Sequence, residues 1–173
     1  MASSHSAAET GLAAAIALFN AGQRGPAEAQ CRSLIAQHGA HPALLQLLAV
    51  LCQERGDASA ARQAITRSLA ARPGHVPSLM IAALACQDLH DLPAAEALLG
   101  QVLQQQPGHV AAAVNLGVVH LAQGRLDEAL RRFGLAYRLR PEALPRIAHA
   151  LCADACGALW TDPGALRERL TSA

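Results

Sequence analysis

The sequence predicts an all-α protein, a solenoid of four helix-turn-helix units closed by a C-terminal capping helical segment. Three observations carry that prediction: a repeat period of 34 residues, small side chains at two fixed places within it, and a glycine between those places. Pro73, Pro107 and Pro141 stand 34 residues apart, and Pro73-Gly74-His75-Val76 recurs identically as Pro107-Gly108-His109-Val110. One period earlier stand Gly39, Ala40, His41 and Pro42. Self-similarity at such a period marks supersecondary units that bury their apolar faces on one another.

If the prolines close each unit at position 32, the units run over about 8–41, 42–75, 76–109 and 110–143, with a cap over 144–173 in a single domain of 173 residues. Position 8 then reads Ala15, Ala49, Ala83 and Gly117, and position 20 reads Ala27, Ala61, Ala95 and Ala129. Small residues at both places let the two helices of a unit approach closely, where a branched side chain would hold them apart. Position 15 reads Gly22, Gly56, His90 and Gly124. Glycine there supplies the positive φ that ends the first helix, so the turn at His90 should be slightly strained or differently shaped. Proline at position 32 stops the second helix, because it cannot donate to the preceding turn and restricts the residue before it.

The spacing predicts helices near 6–21, 26–38, 42–55, 58–71, 76–89, 92–105, 110–123 and 126–139, then a ninth over 144–159. Asp162-Pro163-Gly164 reads as an N-cap with proline at the first helical position, opening a short helix through Leu170. That piece should cover the last apolar face, with Trp160 plugging the join or lying in a partly exposed turn.

The most regular unit places Leu116-Gly117 at positions 7 and 8, Gly124 at 15, Ala129 at 20, Phe133 at 24 and Pro141 at 32. In this order of residues the chain resembles the tetratricopeptide repeat family. The resemblance implies a right-handed superhelical solenoid whose first helices line a concave face. It is weakest at the front, where Gly39 replaces the closing proline and Gly11 and Ala14 replace larger residues; end units are commonly atypical.

Composition narrows the function. The net charge is +1, and all 14 basic residues are arginine. With no excess of positive charge and only 2% aromatic residues, nucleic acid binding is disfavoured. No apolar stretch approaches the length that spans a bilayer, and the segment before Leu12 lacks the basic residues of a signal peptide. A cytoplasmic home follows as the expectation, with the five cysteines as thiols. No nucleophile elbow, phosphate loop or paired CxxC occurs, so the protein is expected not to be an enzyme and to need no cofactor.

The resemblance places inner residues at positions 5, 9 and 12, among others. They read Leu12, Gln46, Met80, Val114 and Ala148; Ile16, Val50, Leu84, Val118 and Cys152; and Phe19, Gln53, Gln87, Leu121 and Ala155. This predicts a largely aliphatic binding groove of Ile16, Phe19, Gln46, Val50, Gln53, Met80, Leu84, Gln87, Val114, Val118 and Leu121. A water-facing aliphatic strip usually marks a binding surface, here one suited to an apolar peptide or amphipathic helix. The alternatives are ordinary first-helix packing, or burial by the cap or a second copy of the chain. The family's polar peptide clamps are absent apart from Asn115 at position 6.

Three further constellations bear on chemistry. His149, Cys152 and Cys156 share one side of the last long helix and could ligate a soft metal, but no fourth ligand is evident, so buried thiols are the expected outcome and no metal is assigned. Cys52, Cys86, His120 and Asp154 all occupy position 11, yet helices packed about 8–10 Å apart hold them too far from one another to share an ion. They are read as packing residues. His41, His75 and His109 recur at position 34 and are read as inter-repeat turn residues, or as a row of pH-sensitive rim contacts. Arg125, Arg131, Arg132, Arg138, Arg140 and Arg146 crowd the end of the fourth unit and read as a solvated, partly paired outer face, with docking of an acidic partner as the alternative.

The sequence thus points to a non-catalytic scaffold that holds another polypeptide. The other readings are a targeting module of a larger modifying enzyme, since similar repeats precede glycosyltransferases in bacteria, and a structural oligomer that closes its own groove.

Overall fold

The computed structural model describes residues 2–39, 41–153 and 163–172. The described elements are all helical: α1 (Ala2–Asn20), α2 (Arg24–His38), α3 (Pro42–Glu54), α4 (Ala58–Ala71), α5 (Val76–Asp88), α6 (Leu92–Gln105), α7 (Val110–Ala122), α8 (Leu126–Leu139), α9 (Leu144–Ala153) and α10 (Pro163–Ser172). A 3-10 turn over Pro141–Ala143 leads into α9. The predicted continuation of that helix to Leu159, together with Trp160 and Asp162, lies outside the described residues. No helix among those described is long and apolar enough to cross a membrane.

The turns inside the units follow from their residues. Gly56 and Gly124 adopt φ of 82° and 74°. His90 takes the same left-handed conformation at φ 58°, so the turn keeps its shape and the histidine bears the steric cost that glycine avoids. Two of the second helices, α4 and α6, begin on side-chain caps the spacing did not single out. Asp57 accepts a hydrogen bond from the Ala60 amide at 3.0 Å, and Asp91 accepts one from the Ala94 amide at 3.4 Å. Each carboxylate satisfies one of the donors that a helix start leaves open.

The chain divides into two compact units, Met1–Leu89 and His90–Ala173. In the first, α1 packs on α2 and α3 on α4, with α2 against α3 and α4 against α5. Ala15, Ala27, Ala49, Ala61 and Ala83 have no exposed surface, so the small positions of this unit do face partner helices. Leu44, Leu45, Ile65 and Leu79 fill the space around them. Two core serines are satisfied: the Ser68 hydroxyl donates to the Pro42 carbonyl at 3.1 Å, and Ser78 lies 2.9 Å from His75 Nδ1.

Cys31, Cys52 and Cys86 are buried thiols outside any disulfide, whereas Cys152 is exposed. Burial, with help from Glu28 and Cys52, pushes the Cys31 thiol from 9.0 up to about 11. Its thiolate fraction at pH 8 therefore falls about 100-fold. Iodoacetamide at pH 8 should label Cys152 in the native protein and reach Cys31 only after denaturant is added, as peptide mass mapping would show.

The second unit is built on α7 and α8, with α6 against α7, α9 against α7 and α10 against α8. Phe133, fully buried on α8, lies against Gly117 of α7, where an added Cβ would overlap its ring. Ala95 and Ala129 are also fully buried. Leu166 and Leu170 of α10 join Leu130, Phe133, Ile147 and Leu151 in one apolar cluster. The short last helix thus covers the apolar face of α8, which would otherwise end in water.

Candidate functional site

The first helix of each unit carries the residues predicted to line a groove, and the two compact units place them differently. On α3 and α5 of the first unit, Gln46, Val50, Gln53, Met80, Leu84 and Gln87 are all half-buried. The Gln53 amide donates to Asp88 Oδ2 at 3.3 Å, which ties α3 to the end of α5. Further forward, Ile16 is exposed, and Phe19 lies under the Arg24 guanidinium, 4.9 Å from its ring centroid. Arg24 in turn meets Glu54 at 2.8 Å.

In the second unit the predicted residues Val114, Val118 and Leu121 come together on α7. With Ala122 and with Pro145, Arg146, His149 and Ala150 of α9, they line an open pocket of about 650 Å³. The expectation of a strip facing water needs correcting for two of them. Val114 is 2% exposed and Leu121 3%, because α9 packs over this side of α7 and draws both into the core cluster. They form the wall of the pocket from within, while Val118 is half-buried at its surface.

The pocket has one polar side. Asn115, buried at position 6, accepts a hydrogen bond from Arg146 Nη2 at 3.3 Å. Arg146 was expected on a solvated outer face with the other arginines. It is exposed and also reaches onto α7, so a guanidinium and the exposed His149 border an otherwise aliphatic opening. Sequence reasoning missed this pairing because Asn115 and Arg146 sit 31 residues apart and belong to different repeats.

The remaining constellations resolve one by one. Cys152 is exposed, and Cys156 lies outside the described residues. Among the described residues no group of three or more His, Cys, Asp or Glu side chains is arranged to hold a metal ion. His41, His75 and His109 stand at the N-caps of α3, α5 and α7, and His109 Nδ1 accepts from the Ala112 amide at 3.1 Å. Of the three, His109 caps the next helix with its ring, a use of histidine that the period alone did not reveal, whereas His41 and His75 hold the same place without a side-chain cap bond. Arg125 pairs with Glu96 at 3.0 Å, and Arg131 lies 3.7 Å from Glu128. Arg138 donates to the Leu170 carbonyl at 3.4 Å and so helps seat α10.

Comparison with known proteins bears on the whole arrangement. Residues 88–154 match the tetratricopeptide repeat family. No curated protein sequence matches the chain. Among solved structures, MamA 41-end from Desulfovibrio magneticus RS-1 superposes with a TM-score of 0.78 at 16% identity, covering 95% of this chain and 92% of that one. PilF of Pseudomonas aeruginosa gives 0.74 at 18% identity, over 87% of this chain and 70% of its own. TTC0263, a thermophilic TPR protein of Thermus thermophilus, gives 0.71 at 17% identity, over 95% and 97%. At such identities the likeness is one of fold.

Proposed function

We propose that the chain, which carries the tetratricopeptide repeat match over residues 88–154 on the fold of such proteins, acts as a non-catalytic scaffold and holds an apolar or amphipathic segment of another polypeptide. The observation that carries this reading is the pocket on α7 and α9. Its aliphatic lining of Val114, Val118, Leu121, Ala122 and Ala150 suits one or two branched side chains. Arg146 and His149 at its border suit an acidic group next to them in the same segment. The half-buried face of Val50, Met80 and Leu84 in the first unit offers a second apolar surface, with methionine adding adaptability to the fit. Burying such surfaces contributes roughly 25 cal/mol per square ångström of apolar area.

A phage-displayed library of 16-residue peptides tests the reading. Selected sequences should be enriched in leucine, isoleucine and valine beside an aspartate or glutamate. Val118→Asp should weaken the selected peptides about ten-fold or more, while helical circular dichroism is kept, since the position is only half-buried. Peptides that bind Val118→Asp and the unaltered protein equally would show that the pocket is not the binding surface. Self-association through the pocket would appear as concentration-dependent sedimentation abolished by the same substitution.

A further inference from the structure

A second opening in the His90–Ala173 unit has a different chemistry and lies on another side of α7. It encloses about 550 Å³, and its walls include Glu96 of α6, His120 of α7, and Arg125, Glu128, Arg131 and Arg132 at and beyond the start of α8. Helical geometry puts Leu116 and His120 on the face of α7 turned away from Val114, Val118 and Leu121. The two openings are therefore separate sites.

His120 is the unexplained residue. It is 4% exposed, and both ring nitrogens are covered without any hydrogen-bond partner among the described residues. The nearest carboxylate oxygen, Glu96 Oε1, is 3.8 Å from Nε2, beyond hydrogen-bond range. Buried polar atoms in native proteins are nearly always satisfied, so a ring with no protein partner at the wall of a cavity suits a group that enters from the cavity.

The surrounding charges say which kind. Glu96 is already taken, receiving Gln123 Nε2 at 3.0 Å and Arg125 Nη1 at 3.0 Å. Glu128 lies 3.7 Å from both Arg125 and Arg131. Among the described residues Arg132 meets no carboxylate, so three guanidiniums face two acids. Burial first, then Arg125 and Arg132, holds His120 below its usual value against the opposing pull of Glu96 and Glu128. That shift favours the neutral ring, with one N–H to donate and one nitrogen to accept. Three guanidiniums repel a metal cation and attract an anion.

We propose that this opening is an oxyanion site that takes the phosphoryl or carboxylate group of a small acidic ligand, with Arg131 and Arg132 supplying charge and His120 a ring N–H. The proposal stands apart from the apolar pocket, because it uses different residues and a different face of α7.

Titration with inorganic phosphate and with acetate, at ionic strength held constant with sodium chloride, tests it through the His120 ring signals in proton–nitrogen spectra. One anion should shift them saturably, and the anion with the lower midpoint identifies the group. Arg132→Gln should raise that midpoint about ten-fold. Without added anion, His120→Leu should raise Tm by about 2–4 °C, since it removes an unsatisfied buried group, and should abolish the Tm rise that the anion gives the unaltered protein. Equal shifts from sodium chloride alone, an unchanged midpoint in Arg132→Gln, or a fall in Tm on His120→Leu would each overturn the proposal. The last outcome would make His120 a packing residue.

Discussion

Gly117→Leu should cost the protein about 3 kcal/mol or more, and Gly117→Ala a net loss of up to about 2 kcal/mol. The alanine variant is the sharper of the two, because two effects of opposite sign meet there. In an exposed helix interior, alanine is favoured over glycine by about 1 kcal/mol. At Gly117 the added methyl would overlap the buried Phe133 ring on α8, a contact that a close-packed interior relieves only by moving a helix. Overpacking of this kind typically costs about 1–3 kcal/mol, so the contact outweighs the propensity. The measurement is the denaturant midpoint by circular dichroism, with the slope unchanged. Coupling to the ring is separable: Gly117→Ala combined with Phe133→Leu should lose less than the sum of the single losses, by about 1 kcal/mol. A stability gain for Gly117→Ala would mean that α7 and α8 do not meet there.

The same logic explains why so much of the fold was legible in the sequence. A residue such as Gly117 or Ala61 is constrained by one thing, the distance between two helix axes, and that constraint recurs with the repeat. Helix ends were legible for a similar reason, since Gly56 and Gly124 are dictated by the local backbone. His90 shows the limit of that reasoning: the neighbouring helices enforce the turn, and a residue poorly suited to it complies.

The candidate site was less legible because it depends on side chains that meet across repeats. The period correctly brought Val114, Val118 and Leu121 onto one side of α7, but it could not show that α9 would cover part of that side. Arg146 looked like one more surface charge until Asn115 was seen to receive it. His120 looked like one more member of a packing column with Cys52 and Cys86. Those two are thiols that tolerate an apolar site, whereas an imbalance at His120 appears only once its surroundings are known.

Ala61→Leu, in the Met1–Leu89 unit, should lower stability by about 1–3 kcal/mol, although every local rule favours it. Leucine is nearly as good a helix former as alanine and more hydrophobic, so propensity and transfer both predict neutrality or a gain. What opposes it is the seating of α4 on α3. Ala61 and Ala49 have no exposed surface on these packed helices, and Leu44, Leu45 and Ile65 already fill the surrounding core. Three extra carbons can enter only by pushing α4 off α3, which exposes apolar area now buried. Arg62→Leu, one residue away and on the exposed face, is the control and should stay within about 0.5 kcal/mol of the unaltered protein. A large loss at residue 61 with none at 62 would show that helix separation, rather than hydrophobicity, makes alanine the residue for this position. Equal midpoints for both variants would show that the pair has room the repeat pattern does not use.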